Sequence, residues 1–216
     1  MKIAVPIIAR NMEEALYDIE RASGVADILE LRIDYMKRPD LKRLLSSSPL
    51  PKIVTNRVAG EGGEFHGSED ERFAYLEEAA DLGAEYVDVE LNCFRRIPRK
   101  STKLIVSHHL GRTPDDLQEI YRNIVDSGAD VVKIATMANS YQDSVRMLNL
   151  ILQASSEGKD IIGICMGEKG IITRIYGPAF GGYLTFASLS DDKKSAPGQI
   201  TAEELRRMWT LLKLNG

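Results

Sequence analysis

The sequence predicts an α/β protein, a (β/α)8 barrel of near-minimal length, and three observations carry that prediction. Short β-rich runs alternate with segments of helical period along the whole chain. Eight such runs are present, so 216 residues leave about 27 for each unit. In several runs, charged residues fall on alternate positions, which gathers them on one face of a strand. Alternating units imply a parallel sheet. Eight of them suit a closed barrel, a fold of ~250 residues that seldom falls below ~200. An open doubly wound sheet would need a glycine-rich loop after the first strand, and Ala9-Arg10-Asn11-Met12 is not one.

The first strand is read over 3–8. Pro6 interrupts its apolar run, and Arg10, Asn11, Glu13 and Glu14 follow it where a secretory leader would carry small residues. A helix over 11–22 ends at Ser23-Gly24 and a strand over 27–33 follows. Next come a short helix over 40–47, a strand over 52–57 and a helix over 69–82. Leu82-Gly83 leads into a strand over 85–91, and another strand lies over 103–109. Thr113 as N-cap and Pro114 at the first helical position open a helix over 114–127. Ser127-Gly128 then leads into a strand over 130–135, which precedes a helix over 140–156. Gly158 leads into a strand over 160–166, followed by a short helix over 168–176 and a strand over 183–187. Thr201 with Glu204 three residues later is a capping box opening a helix over 201–213. In these joints glycine suits the left-handed position just past a helix C-terminus.

Composition narrows the function classes. Apolar residues make up 44% of the chain and charged residues 28%, an ordinary globular balance. The net charge of −4 offers nucleic acid no basic surface. No apolar run approaches the ~18 residues of a membrane span. Cys93 and Cys165 stand alone, so neither a disulfide framework nor a zinc cluster is expected, and a cytoplasmic location is. His66, His108 and His109 are the three histidines, too few for a multi-histidine metal site. A single catalytic domain over 1–216 is expected.

The alternating charges carry the chemistry. Glu30 and Arg32 oppose Leu29, Leu31 and Ile33; Asp88 and Glu90 oppose Val87, Val89 and Leu91; Lys133 opposes Val132 and Ile134. With the apolar sets turned to the helices, the charged sets point into the barrel. A buried network that only fixes register is the alternative, but burying several charges costs several kcal/mol each before pairing. Lys133 is flanked by Val131-Val132 and Ile134-Ala135. A lysine titrates near ~10.4 in water. Burial and neighbouring cations, with Arg32, Arg57 and Arg174 as candidates, would favour its neutral form. A neutral amine at a barrel mouth attacks carbonyls to form a Schiff base. His109 shares a face with Ser107 and Ile105, whereas His108 lies on the other, so His109 is the inward acid–base candidate.

These residues occur in an ordered set of short motifs: Glu30-Leu31-Arg32-Ile33-Asp34, Arg57 followed by Glu61-Gly62-Gly63-Glu64, Ser107-His108-His109, Val132-Lys133-Ile134-Ala135, Thr173-Arg174 and Ser195-Ala196-Pro197-Gly198-Gln199. Taken together, from Ile3 to the last helix, the chain resembles the type I 3-dehydroquinate dehydratases of the shikimate pathway. The resemblance implies a barrel, a homodimer, no metal and no organic cofactor. It also implies dehydration of 3-dehydroquinate to 3-dehydroshikimate through a lysine imine, on the route to chorismate and the aromatic amino acids. By motif match, Lys133 is the imine lysine, His109 the acid–base and Glu30 the carboxylate that orients it. Arg32, Arg57, Arg174, Ser195 and Gln199 match substrate contacts, and Glu61, Met166 and Phe186 match further pocket positions. The polar segment from Ser188 to Gln199 becomes a lid. The chain begins at its first strand, so neither a floor-covering N-terminal extension nor a fused second enzyme is expected. Two other readings stand beside this one: another Schiff-base barrel such as an aldolase, and an inactive barrel used for binding.

Overall fold

A computed structural model describes residues 1–214, so the last two residues of the expected 1–216 unit lie outside it. Eight parallel strands form the sheet: β1 Ile3–Ile7, β2 Ile28–Arg32, β3 Lys52–Thr55, β4 Tyr86–Glu90, β5 Lys103–Leu110, β6 Val131–Met137, β7 Asp160–Met166 and β8 Thr185–Phe186. From β1 to β7 each pairs with its neighbour in chain order, and β8 returns to β1. The seam between β7 and β8 is bridged where the Tyr183 amide donates to Ile161 O at 2.8 Å. The result is a nearly closed (β/α)8 barrel.

Among the described residues, seven α-helices surround it: α1 Met12–Ala22, α2 Leu41–Ser46, α3 Glu69–Asp81, α4 Leu117–Asp126, α5 Tyr141–Ser156, α6 Ile171–Tyr176 and α7 Ala202–Leu211. Capping boxes open three of them, at Ser68 with Glu71, Ser140 with Asp143, and Thr201 with Glu204 as expected. The segment between β4 and β5 holds only a 3-10 turn, Leu91–Cys93. That stretch carries Arg95, Arg96, Pro98, Arg99 and Lys100, which leave no apolar face for a helix. Two helices start three residues later than expected. Helix α4 starts three residues later than a Thr113 cap would place it, because the Thr113 hydroxyl is bonded to Thr136 Oγ1 at 2.7 Å and Met137 O at 3.2 Å. The 168–176 stretch divides into a 3-10 turn, Glu168–Gly170, and α6.

Strand alternation separates two cores. Val5, Leu29, Leu31, Val54, Val87, Val89, Val106, Val132 and Ile134 face the helices in one apolar cluster. Inside the barrel, Ala4, Ile28, Ile53, Tyr86, Ile105, Val131, Ile162 and Phe186 form a second. Two residues further along several of these strands, the interior turns polar, with Glu30, Thr55, Asp88, Ser107 and Lys133. One more step reaches Arg32, Arg57, Glu90 and His109 at the C-terminal mouth, the end where barrel active sites form.

Trp209 seals the outside of this arrangement. It is buried on α7, and its indole N–H donates to Ile175 O at 2.7 Å. Trp209→Ala removes a large apolar volume and a bonded donor together. It is expected to cost about 3–5 kcal/mol in a urea unfolding series followed by circular dichroism; a loss below about 1 kcal/mol would contradict this role.

Candidate active site

One cavity of about 410 Å³ opens at the mouth of the barrel, and all eleven residues singled out from the sequence line it. Glu30 and Arg32 come from β2, His109 from β5, Lys133 from β6, Met166 from β7 and Phe186 from β8. Arg57 follows β3, Glu61 ends the 3-10 turn Ala59–Glu61, and Arg174 lies on α6. Ser195 and Gln199 close the rim from the segment after β8.

Lys133 is 5% exposed. Its Nζ lies 2.7 Å from Asp88 Oδ2 and 3.3 Å from Glu30 Oε1, and 4.6 Å from the centroid of the Phe186 ring. The groups touching the amine are therefore carboxylates, not the cations expected from the sequence. Arg57 is 2.7 Å from Asp88 and 2.9 Å from Glu90, and Arg72 of α3 reaches Glu90 from the other side. Arg32 forms a bidentate pair with Asp34, at 2.8 and 2.6 Å. Each of these cations has an anion against it, which offsets much of its desolvation.

Arg174 differs. It is 2% exposed and has no acidic partner among the described residues. Its Nη1 donates to Phe186 O at 3.1 Å and its Nε makes no hydrogen bond. Burial pushes it down to about 10. A buried guanidinium without a counter-ion is a place for an anion, and a carboxylate can engage such a fork in two bonds.

His109 is held by Glu61. Glu61 Oε2 accepts from the His109 backbone N–H at 3.0 Å and lies 3.2 Å from its Nδ1. Glu61 Oε1 accepts from Asn92 Nδ2 at 3.0 Å and sits 3.4 Å from His108 Nδ1. The expected contact between Glu30 and His109 is not made: Glu30 Oε1 accepts from Thr55 Oγ1 at 2.9 Å and faces Lys133. Parity along β2 placed Glu30 inward correctly but could not choose its neighbour. The loop before Glu64 brings Glu61 in. It folds so tightly that a Cβ on Gly63 would meet Arg57 O at 2.1 Å. His108 lies on the opposite strand face and does not line the cavity.

Burial pushes the His109 imidazole down, helped by Arg57 and outweighing Glu61, to about 3. For Glu61 burial acts upward, but hydrogen bonds from the two histidines hold it down at about 2. A neutral imidazole beside an anionic carboxylate donates from Nδ1, which leaves Nε2 with a free lone pair. The arrangement can therefore combine an amine, a base and an anion-binding guanidinium in one space.

The rim is built on two glycines. Gly198 has φ +74°, and a Cβ there would lie 2.5 Å from Gly167 O. The Gly167 amide in turn donates to Pro197 O at 3.1 Å. Ser195 and Gln199 bond one another, with Ser195 N to Gln199 Oε1 at 2.8 Å and Gln199 Nε2 to Ser195 Oγ at 3.1 Å. Sequence reasoning saw Asp88, Glu90 and Ser107 turn inward but gave them no role. Their contacts with Arg57 span three strands and leave no local signal.

The family model described as type I 3-dehydroquinase matches residues 3–215. A 3-dehydroquinate dehydratase from Methanocaldococcus jannaschii is 37% identical over 98% of this chain and 99% of its own length. A chloroplastic bifunctional 3-dehydroquinate dehydratase/shikimate dehydrogenase from Arabidopsis thaliana is 36% identical over 98% of this chain, which spans 37% of that longer protein. Among solved structures, a type I 3-dehydroquinate dehydratase from Clostridium difficile superposes with a TM-score of 0.87 at 28% identity, covering 98% of this chain and 92% of that one.

A histidine titrates near ~6.5 when free. Because His109 is held lower in the folded chain, the unfolded chain takes up that proton first as pH falls. Its contribution to stability is full above ~6.5 and declines as pH falls toward the folded value of about 3. Urea midpoints should therefore drop between pH 7 and pH 5, and His109→Gln should flatten that drop. An equally steep drop in the variant, or a His109 imidazole NMR signal titrating near ~6.5, would contradict the assignment.

Proposed function

The chain belongs to the type I 3-dehydroquinase family, and from that premise we propose that its dehydration of 3-dehydroquinate to 3-dehydroshikimate runs through an imine on Lys133. The reaction is a hydro-lyase step of the shikimate pathway. The observation that carries the imine reading is the buried Lys133 amine opening on a cavity that also holds a neutral histidine and an uncompensated guanidinium.

The substrate is a small ring bearing a ketone, a carboxylate and hydroxyls. Its carboxylate goes to Arg174, which has a charge to satisfy. Lys133 attacks the C3 ketone; water leaves and an iminium forms. The iminium draws electrons and acidifies the C2–H. His109 Nε2 takes that proton, giving an enamine. The enamine expels the C1 hydroxyl, and the proton on His109 goes to it as it leaves. One base serving both transfers suits a syn elimination. Water then hydrolyses the imine and frees Lys133. Glu61 keeps the imidazole in its Nδ1–H tautomer and lowers the cost of its transient charge. Ser195 and Gln199 turn to the substrate hydroxyls once a ligand breaks their mutual bonds.

The same reading places the chain in the cytoplasm, supported by its two free, unpaired cysteines; no helix is long and apolar enough to cross a membrane among the described residues. It also makes the protein a homodimer acting without metal or organic cofactor on a single domain, as the resemblance implies.

Borohydride reduction in the presence of 3-dehydroquinate should add the substrate's mass to the peptide carrying Lys133, and Lys133→Ala should lose both adduct and turnover. In His109→Ala the adduct should persist while turnover falls by about 100-fold or more. An unmodified Lys133 in the wild type would overturn the imine. Arg174→Ala should raise KM by about tenfold or more, the worth of one charge-assisted pair. A KM unchanged in that variant would move the carboxylate to another cation.

A further inference from the structure

Asp88 is the carboxylate closest to the Lys133 amine, and the catalytic steps above give it no part. It is 1% exposed in the middle of β4. Its Oδ1 accepts from Arg57 Nη2 at 2.7 Å and from the Ser107 hydroxyl. Ser107 is fixed in turn by Arg57 Nη1 at 2.8 Å. With Oδ1 pinned by two donors, Oδ2 has one direction left, and Lys133 Nζ stands there at 2.7 Å. Strand register supports the placement, since Ser107 pairs with Lys133 across β5 and β6, and Thr55 with Asp88 across β3 and β4. Glu30, the second carboxylate on the amine, lines the cavity, whereas Asp88 does not. Asp88 thus meets the nitrogen from the barrel interior while the substrate space lies on the other side.

We propose that Asp88 is the positioning residue for the Lys133 nitrogen, aiming the amine at the cavity before attack and accepting the single N–H of the iminium after it. The inference rests on the imine reading. One proton of the ammonium passes to the ketone oxygen as the freed lone pair attacks, a second follows as that oxygen leaves as water, and the third stays on nitrogen. The new N=C bond takes the place of the C=O bond, and the nitrogen keeps its positive charge. Asp88 gains and loses no atom; it remains the anion facing that charge throughout. The iminium then has one N–H, which points away from the ring carbon it has bonded and toward Oδ2.

The test compares wild type, Asp88→Asn and Asp88→Glu by two measurements. One is the rate of borohydride trapping with 3-dehydroquinate, read as adduct on Lys133. The other is the Kd of an analogue bearing an alcohol where the substrate has its C3 ketone, which fills the cavity without forming an imine. Trapping is expected to slow about 100-fold in Asp88→Asn and roughly tenfold in Asp88→Glu, while the analogue Kd stays within about threefold of wild type. Asp88→Asn leaves Arg57 short of one counter-charge and risks unfolding. Asp88→Glu keeps every charge and moves only the carboxylate, so it decides the matter if the first variant fails to fold. Wild-type trapping rates in a folded variant overturn the proposal. So does analogue binding lost in step with trapping, which would make Asp88 a prop for the whole cavity. A wild type that is not trapped at Lys133 overturns the imine reading instead, so the two failures are distinguishable.

Discussion

The buried carboxylate of Asp88, shared between Arg57 and Lys133, is the contact on which the upper half of the barrel depends. Chained to it are three cations, Lys133, Arg57 and Arg72, and three anions, Glu30, Asp88 and Glu90. These buried charges balance, with the exposed Glu69 also on Arg72, and the buried members come from β2, β4, β6, the end of β3 and helix α3. Each charge would cost several kcal/mol to bury alone. Held together they join separate strands into one network, so a side chain in it cannot move without exposing a neighbour's charge. Such rigidity suits a nucleophile that must meet a carbonyl at a fixed angle.

Against those balanced buried charges, two departures mark the working surface. Arg174 is buried without an anion, and the partly buried His109 imidazole is held neutral. The first is a cost to the empty protein that an anionic substrate would relieve. The second is a base kept ready at neutral pH. Both face the same cavity, while the paired charges stabilise its floor and walls. Stability and function therefore draw on the same interior with opposite rules: complete pairing through its floor and walls, incomplete pairing at Arg174 and His109.

Glu61 and the rim come from loops, and close backbone approaches set where they lie. Gly63 lets the chain turn against Arg57 O, and Gly198 lets the last loop lie on Gly167. Side chains at either place would collide with main-chain atoms, which cannot give way as a flexible side chain does. The loops are thus tied to the ends of the strands that carry Lys133 and His109 by way of β3 and β7, and a substrate held by Ser195 or Gln199 is aligned to the same frame.

How far the sequence reached follows from what a period can say. A two-residue period separates two faces, so Glu30, Arg32, Asp88, Glu90, His109 and Lys133 were assigned inward from spacing alone, and His108 was separated from His109. Eight units at about 27 residues each sufficed for the barrel, and the ordered motifs sufficed for the family. A period cannot say which inward residue meets which. Strands in a closed barrel tilt and shift in register, and that shift brings Thr55 beside Asp88 and Ser107 beside Lys133. It set two carboxylates on the amine where cations were expected, and it left Glu30 away from His109. The carboxylate on His109 came instead from Glu61, in a loop with no period to read. The Thr113 cap failed for the same reason: its hydroxyl was taken by β6, a partner distant in sequence. The sequence by itself determined the fold, the family and the inward face of the strands that carry charges and His109, because these follow from local alternation and from short ordered motifs. The pairing of charges was decided only by the tertiary structure, because it depends on how eight tilted strands close on one another.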